Sequence, residues 1–355
     1  MSVSTDEGIS LDELRLAARN HAMPLEALRW PITPVGLHYL LIHYDVTLVD
    51  PAAWRLELDG AVQRPRTFTL EDLRALPAVE LVATMECAGN GRALLEPRPV
   101  SQPWLTEAVG TAVWRGVPLA ALLEGASPSA GAVEVVFAGL DRGVEGGVEQ
   151  RYERSLPLVE ALEAGCVLAY EMNGMPLPPQ HGFPLRLVVP GWYGMTNVKW
   201  LSAITVTTEP FTGYQVASGY RIRQSEDEDG RPVTRMRPRS LMAPPGMPDF
   251  ATRSRTVDAG PVRLEGRAWS GRAQVVRVEV SVDGGSTWAD AELARELEGL
   301  WAWCGWSLAW DAFQGEHVLC SRATDETGGT QPLEPEWNLG GYENNAVQRV
   351  PVTVR

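Results

Sequence analysis

The chain has 355 residues, enough for two well-packed domains, and its 45% hydrophobic and 21% charged residues are the balance of an ordinary globular protein. A net charge of −14 argues against a nucleic-acid partner, because phosphate backbones reward basic surfaces. No apolar run approaches the roughly 20 residues of a membrane span, and the polar, acidic N-terminus carries neither a secretory nor a twin-arginine signal, so a cytoplasmic location without membrane contact is expected.

Residues 1–30 read as an arm, in which Leu11–His21 has helical spacing and Pro24 and Pro31 punctuate the segment after it. Short strands and helices then mix. Trp54–Leu58 alternates like a strand, and Leu70–Leu76 reads as a helix capped by Thr69 and stopped before Pro77. Val117–Leu123 and Leu156–Ala164 are further helix candidates, the second closing at Gly165. Val133–Phe137, Leu185–Val189 and Ala203–Thr207 are β-branched apolar runs that predict buried strands.

Residues 224–254 read as a linker or covering segment, acidic at first and then dense in proline and arginine. From 255 the pattern is all β. Val262–Trp269, Val275–Val282, Leu300–Trp310, His317–Ala323 and Val347–Val354 are strand-like, Pro351 predicts an edge strand, and Asp283-Gly284-Gly285 a hairpin turn. Short strands separated by turns over this length indicate a β-sandwich. Trp301, Trp303, Trp306 and Trp310 fall in it and read as sandwich core and contact face.

No nucleophile elbow, Walker loop or H-E-x-x-H motif is present. Four cysteines without C-x-x-C spacing indicate neither a zinc site nor a disulfide scaffold. Cys166, Cys304 and Cys320 read as packing residues. Cys87 follows the strand-like Val79–Ala83 and enters the glycine turn Ala88-Gly89-Asn90-Gly91, with Arg92 five residues on. It reads equally as an activated thiolate or as a small buried hydrophobe. A second cluster holds His181, Arg186 and Lys199 around an apolar strand. Lys199 is the only lysine of a chain that otherwise uses arginine, which makes it a candidate for a position where a planar guanidinium does not fit, or else a surface lysine kept by chance. Cations bracketing a buried strand call for an anion, such as a phosphate-bearing cofactor, or else simply reach solvent.

These residues resemble the sulfite oxidase family. The resemblance rests on Glu86-Cys87-Ala88-Gly89-Asn90 with Arg92, Pro103-Trp104, Ala169-Tyr170-Glu171-Met172-Asn173-Gly174, His181-Gly182-Phe183-Pro184 with Arg186, Val198-Lys199-Trp200, residues 280–288 and Trp337-Asn338-Leu339. It covers roughly residues 31–355, and the start Ile32-Thr33-Pro34 is also similar to bacterial sulfane dehydrogenase subunits. It implies an α+β chain: an arm (1–30), a mixed α/β molybdopterin-binding catalytic domain (31–223), a linker (224–254) and an immunoglobulin-like dimerisation domain (255–355).

The resemblance also implies a molybdenum-molybdopterin cofactor with Cys87 as the protein ligand, a soft thiolate suited to the metal. Tyr170 and Arg92 would face the substrate and Trp104 would line its pocket, while His43, Asp141, His181, Arg186 and Lys199 would bind the pterin. The implied reaction transfers an oxygen atom to a small sulfur-containing anion, sulfite to sulfate foremost. Its electrons go to a separate acceptor such as a cytochrome, and the enzyme is a homodimer. Oxidation or reduction of another sulfur compound, a sulfane sulfur or a sulfoxide, is the alternative enzyme, and a non-catalytic cofactor-binding homologue the alternative class. Two departures bear on substrate: Leu41-Ile42-His43 stands where the family has Arg-Asn-His, and Gly340 where it has arginine.

Overall fold

The computed structural model describes residues 9–355, so the first eight residues of the expected arm lie outside the described residues. Two compact units account for the chain. One is built from Leu40–Leu81 and Ala112–Thr234; the other from the described residues through Tyr39, Val82–Thr111 and Arg235–Arg355. No helix among the described residues is long and apolar enough to cross a membrane.

The mixed unit is organised by a sheet of five strands in the order Arg66–Phe68, Leu56–Gly60, Leu201–Thr207, Glu134–Glu145 and Val148–Pro157. Leu56–Gly60 and Leu201–Thr207 run parallel; every other pairing is antiparallel. Alternation places Leu56 and Leu58 on the core face with Val135, Phe137, Ile204 and Val206. Leu70–Ala75 begins at Thr69, whose side chain forms a capping box with Asp72. Leu119–Ala126 and Leu158–Glu163 bury Leu119, Leu122, Leu123 and Ala161 in the same core. The helix expected from Val117 starts two residues later, because Val117 and Pro118 finish the strand Val109–Pro118. The strand expected over Val133–Phe137 runs on to Glu145, where Gly146 and Gly147, both at positive φ, turn it into its hairpin partner. Within this unit the fully buried Arg186–Val188 pairs antiparallel with Val167–Met172.

The other unit contains the sandwich. One sheet orders Arg239–Met242, Gly260–Trp269, Cys304–Ala312 and Glu292–Ala294; the second orders Met247–Pro248, Arg255–Val257, Gln348–Val354, Gly315–Asp325, Val275–Ser281 and Ala289–Asp290. Leu264, Ala268, Trp306, Val278, Leu319, Ala323, Val350 and Val352 fill the core. Trp303, Trp306 and Trp310 are buried. The expected hairpin forms, with its loop held by Asp283, whose carboxylate accepts from Ser281, Ser286 and Thr287. The edge-strand reading of Pro351 is corrected. Gln348–Val354 is an interior strand, antiparallel to Gly315–Asp325 and parallel to Arg255–Val257. Proline is tolerated because the parallel pairing begins only at Val352. Near the N-terminus, Leu11–Arg19 starts at a Ser10–Glu13 capping box, and buried Glu13 also accepts from Arg98 at 3.0 Å. All four cysteines are buried thiols.

Because Leu58 lies in the core of the mixed unit, Leu58→Ala is expected to lower unfolding free energy by about 2–5 kcal/mol, read from urea unfolding curves.

Candidate cofactor-binding site

A β-bulge builds the cationic part of the site. The register of Glu134–Glu145 slips between Ala138 and Arg142 against one neighbour, and the facing strand slips between Leu201 and Ala203. The extra residues turn a side chain out of the sheet, as bulges commonly do beside active sites. That side chain is Asp141. Gly139 makes the approach possible: a Cβ there would lie 2.5 Å from Asp141 Oδ1 and 2.7 Å from the Lys199 carbonyl oxygen. Gly182, at φ +105°, gives Lys199 similar room, since a Cβ would come within 2.9 Å of the lysine Cβ.

Lys199 Nζ donates to the carbonyls of Leu41 (2.8 Å) and Gln180 (3.3 Å) and lies 4.5 Å from the Trp200 ring centroid. Arg186 is buried over the Trp114 ring and donates to the carbonyls of His181 (3.1 Å) and Asn197 (3.2 Å). Burial first and the Arg186 charge second push the Lys199 ammonium below the ordinary lysine range, and Asp141 opposes the shift. Burial holds the Asp141 carboxyl above its usual range against the pull of Lys199. Asp141 Oδ1 is buried with no hydrogen-bond partner. The geometry therefore offers concentrated positive charge beside an unsatisfied acceptor, which suits a ligand carrying both an anionic group and N–H donors.

His43 stands with two aromatic residues of the same unit. Its Nε2 shares a hydrogen bond with the Tyr220 hydroxyl, and its ring lies 4.6 Å from that of Tyr152. Tyr152 in turn bonds the Met195 carbonyl at 2.6 Å. His181 is buried at the end of the 3-10 turn Pro179–His181, its carbonyl bound to Arg186. Tyr170 lies within the apolar cluster of the mixed unit, with the Arg74 guanidinium 5.7 Å from its ring centroid.

Cys87, Arg92 and Trp104 belong to the unit that contains the sandwich. Cys87 follows the strand Val79–Glu86 directly; its N–H bonds the Ala108 carbonyl at 2.9 Å, and its carbonyl accepts from Asn90 at 3.0 Å. Burial pushes the thiol up, while the Arg92 charge, the Gly89 N–H and the Trp104 indole favour the thiolate. Arg92 Nε donates to the Gly340 carbonyl at 2.9 Å and Nη1 to the Gln102 carbonyl at 3.2 Å, with the Tyr342 ring centroid 5.1 Å away. A Cβ on Gly89 would collide with this guanidinium at 2.6 Å, so the glycine is what allows Arg92 to fold back beneath the loop.

Lys199, Arg186, Asp141 and His181 thus come together around one bulge, and Cys87, Arg92 and Trp104 around one turn. Sequence reasoning missed the residues that support each group. Tyr152 and Tyr220, which hold His43, carry no local signal. Arg239 and Trp269 contact Glu86, the residue before the cysteine, and neither stands out among the many arginines and tryptophans nearby. Among the described residues, no three His, Cys, Asp or Glu side chains are grouped to hold a metal.

Residues 43–215 match the family of the oxidoreductase molybdopterin binding domain, and residues 236–355 that of the Mo-co oxidoreductase dimerisation domain. The chain is 36% identical over 346 residues to mitochondrial sulfite oxidase of Rattus norvegicus, covering 91% of this chain and 62% of that protein. It is 35% identical over 353 residues to an NADH nitrate reductase of Solanum lycopersicum, covering 91% and 38%. It therefore spans only part of the length of these relatives. Among solved structures, the sulfane dehydrogenase SoxCD from Paracoccus pantotrophus matches with a TM-score of 0.81 at 28% identity, over 94% of this chain and 86% of that one.

The lowered affinity of Lys199 for its proton has a measurable sign. Between its lowered value and the ordinary lysine value of about 10.4, the unfolded chain binds the proton more readily than the folded one. The stability of cofactor-free protein therefore rises with pH across this window and is lost as pH falls through it. Lys199→Met is expected to flatten that rise in a Tm series from about pH 7 to 10; a variant that keeps the wild-type slope would assign the dependence to other groups.

Proposed function

We infer the reaction from one premise: the chain belongs to the sulfite oxidase family of molybdopterin-binding oxidoreductases. The residues fit the cofactor of that family. Lys199 and Arg186 supply charge for an anionic terminus, Asp141 Oδ1 is an orphaned acceptor for ring N–H groups, and Cys87 is a soft donor. With no cluster of protein ligands among the described residues, a metal at Cys87 needs an organic partner to complete its coordination. The carrying observation is the Lys199–Arg186–Asp141 arrangement, which pairs surplus positive charge with an empty acceptor.

We propose an oxidoreductase that transfers an oxygen atom to a small sulfur-centred anion, sulfite foremost, and passes its electrons to a separate acceptor such as a cytochrome. When bound, the molybdenum centre supplies the oxygen transfer and the two-electron change. Cys87 would anchor it, and the Arg92 charge beside the sulfur offsets part of the burial that favours the neutral thiol. Lys199, Arg186, His181 and His43 grip the pterin and its anionic end, and Asp141 fixes its orientation. Arg92 orients the substrate and Trp104 excludes water beside it; the substrate role expected of Tyr170 is not carried forward, because its ring is packed in the apolar cluster of the mixed unit. The unit of Leu40–Leu81 and Ala112–Thr234 carries the pterin-binding residues, and the sandwich, which takes in Arg239–Met242 and Met247–Pro248 from the stretch expected to be a linker, serves as the dimerisation element of a homodimer.

A second reading, oxidation of a sulfane sulfur, is favoured by Gly340. Glycine stands there where the family resemblance expects an arginine, so a dianion has one charged contact fewer. Turnover with sulfite, thiosulfate, methionine sulfoxide and nitrate decides the substrate. Sulfite oxidation alone supports the first reading, thiosulfate oxidation the second, and nitrate reduction overturns both.

Purified protein is expected to hold molybdenum near one atom per chain by elemental analysis, and Cys87→Ser to lose most of it. Arg186→Met is expected to weaken cofactor binding by about 1.5–3 kcal/mol, read as cofactor retained on gel filtration.

A further inference from the structure

The residue before Cys87 is a carboxylate sealed in the interior. Glu86 is 1% exposed, and its side chain accepts from partners that are themselves buried. Arg239 Nη1 donates to Oε1 at 2.7 Å, Asn90 Nδ2 donates to the same oxygen at 3.0 Å, and Trp269 Nε1 donates to Oε2 at 2.9 Å. Arg239 is itself 1% exposed, and its Nη1 also reaches the Asn344 carbonyl at 2.8 Å. Asn344 Nδ2 returns to the Gly91 carbonyl at 2.8 Å. Asn90 closes the far side, accepting from the Ala108 N–H at 3.0 Å and donating to the Thr106 carbonyl at 2.9 Å. The loop 86–91 is thus tied at both ends and in the middle. Gly91, at φ +89°, leaves no slack, for a Cβ would lie 2.8 Å from Asn344 Nδ2.

Two of these ties come from neighbouring strands of the sandwich. Arg239 opens the fully buried Arg239–Met242 and faces Trp269, the last residue of Gly260–Trp269, across the ladder. A fully buried ion pair gives little net stability against apolar replacements, so its worth here is sought in the geometry it specifies. A ligand held by groups that are themselves locked binds a metal more tightly than a free one.

We propose that Arg239 and Trp269, acting through Glu86, are positioning residues for the Cys87 sulfur, so that the sandwich conventionally read as a dimerisation element also aims the metal ligand. The proposal rests on the reading of Cys87 as that ligand. Arg239 and Trp269 do not touch substrate or cofactor; they fix the carboxylate whose backbone presents the cysteine.

The test uses the full chain in four forms: wild type, Glu86→Gln/Arg239→Met, Trp269→Phe, and Val278→Ala as a packing control in the sandwich core. The double variant removes the ion pair without stranding a buried charge. Two quantities are read on each folded protein. One is the rate at which iodoacetamide alkylates Cys87 in cofactor-free protein, located by peptide mass. The other is the g-value set of the Mo(V) electron paramagnetic resonance signal in loaded protein, with molybdenum bound per chain across a cofactor titration.

The double variant is expected to alkylate faster, to shift its g-values, and to bind cofactor about 10–100-fold more weakly, the usual effect of removing a group that orients a metal ligand. Trp269→Phe is expected to move the same way by less, and Val278→Ala to lower Tm while leaving alkylation and g-values in place. Wild-type alkylation and g-values in the folded double variant overturn the proposal. If that variant does not fold, wild-type values in Trp269→Phe overturn it instead. Failure of the cofactor reading shows separately, as wild-type protein that binds no molybdenum, while the alkylation rates still report whether the ties restrain the thiol.

Discussion

A half-buried ammonium beside a buried guanidinium is the constraint on which the mixed unit turns. Like charges in a poorly hydrated space repel, and the protein answers only in part. Backbone carbonyls satisfy the donors of Lys199, and Asp141 supplies one opposing charge. Everything nearby serves the arrangement: the bulge that frees Asp141, Gly139 and Gly182 that let side chain and backbone close in, and the Leu187–Val198 hydrogen bond that fixes the strand carrying Arg186 against the segment carrying Lys199.

The cysteine end follows the opposite strategy. There the ionic groups are matched within the protein, Glu86 with Arg239, and the polar atoms of the loop are tied to neighbours. One set of residues leaves a buried acceptor unfilled, and the other is matched within the protein.

How much of this was legible in the sequence depends on the range of each interaction. Lys199 announced itself because the chain otherwise avoids lysine, and Cys87 because a strand led into a glycine turn; both are local signals. The capped helix at Thr69 and the sandwich strands were legible from periodicity and turn chemistry. The bulge at Gly139–Asp141 was not, because the apolar run ends at Ala138 while hydrogen bonding to Leu140 continues the strand pairing. Pro351 misled because a missing N–H rules out a partner at one residue, not along a whole strand. Arg239 was hidden among Arg231, Arg235 and Arg237 in a stretch that composition marks as a linker, and only a partner 153 positions away in sequence reveals its use.

That separation bears on how the molecule is made. Glu86 leaves the ribosome long before Arg239, and Gly91 waits for Asn344, 253 residues later and close to the C-terminus. At translation speeds of about 5–20 residues per second, the thiol of a nascent chain stays unrestrained for roughly ten seconds or more. The turn around Cys87 is therefore fully tied only after residue 344 has been made, and a substitution at Asn344 loosens a turn 253 residues earlier in sequence.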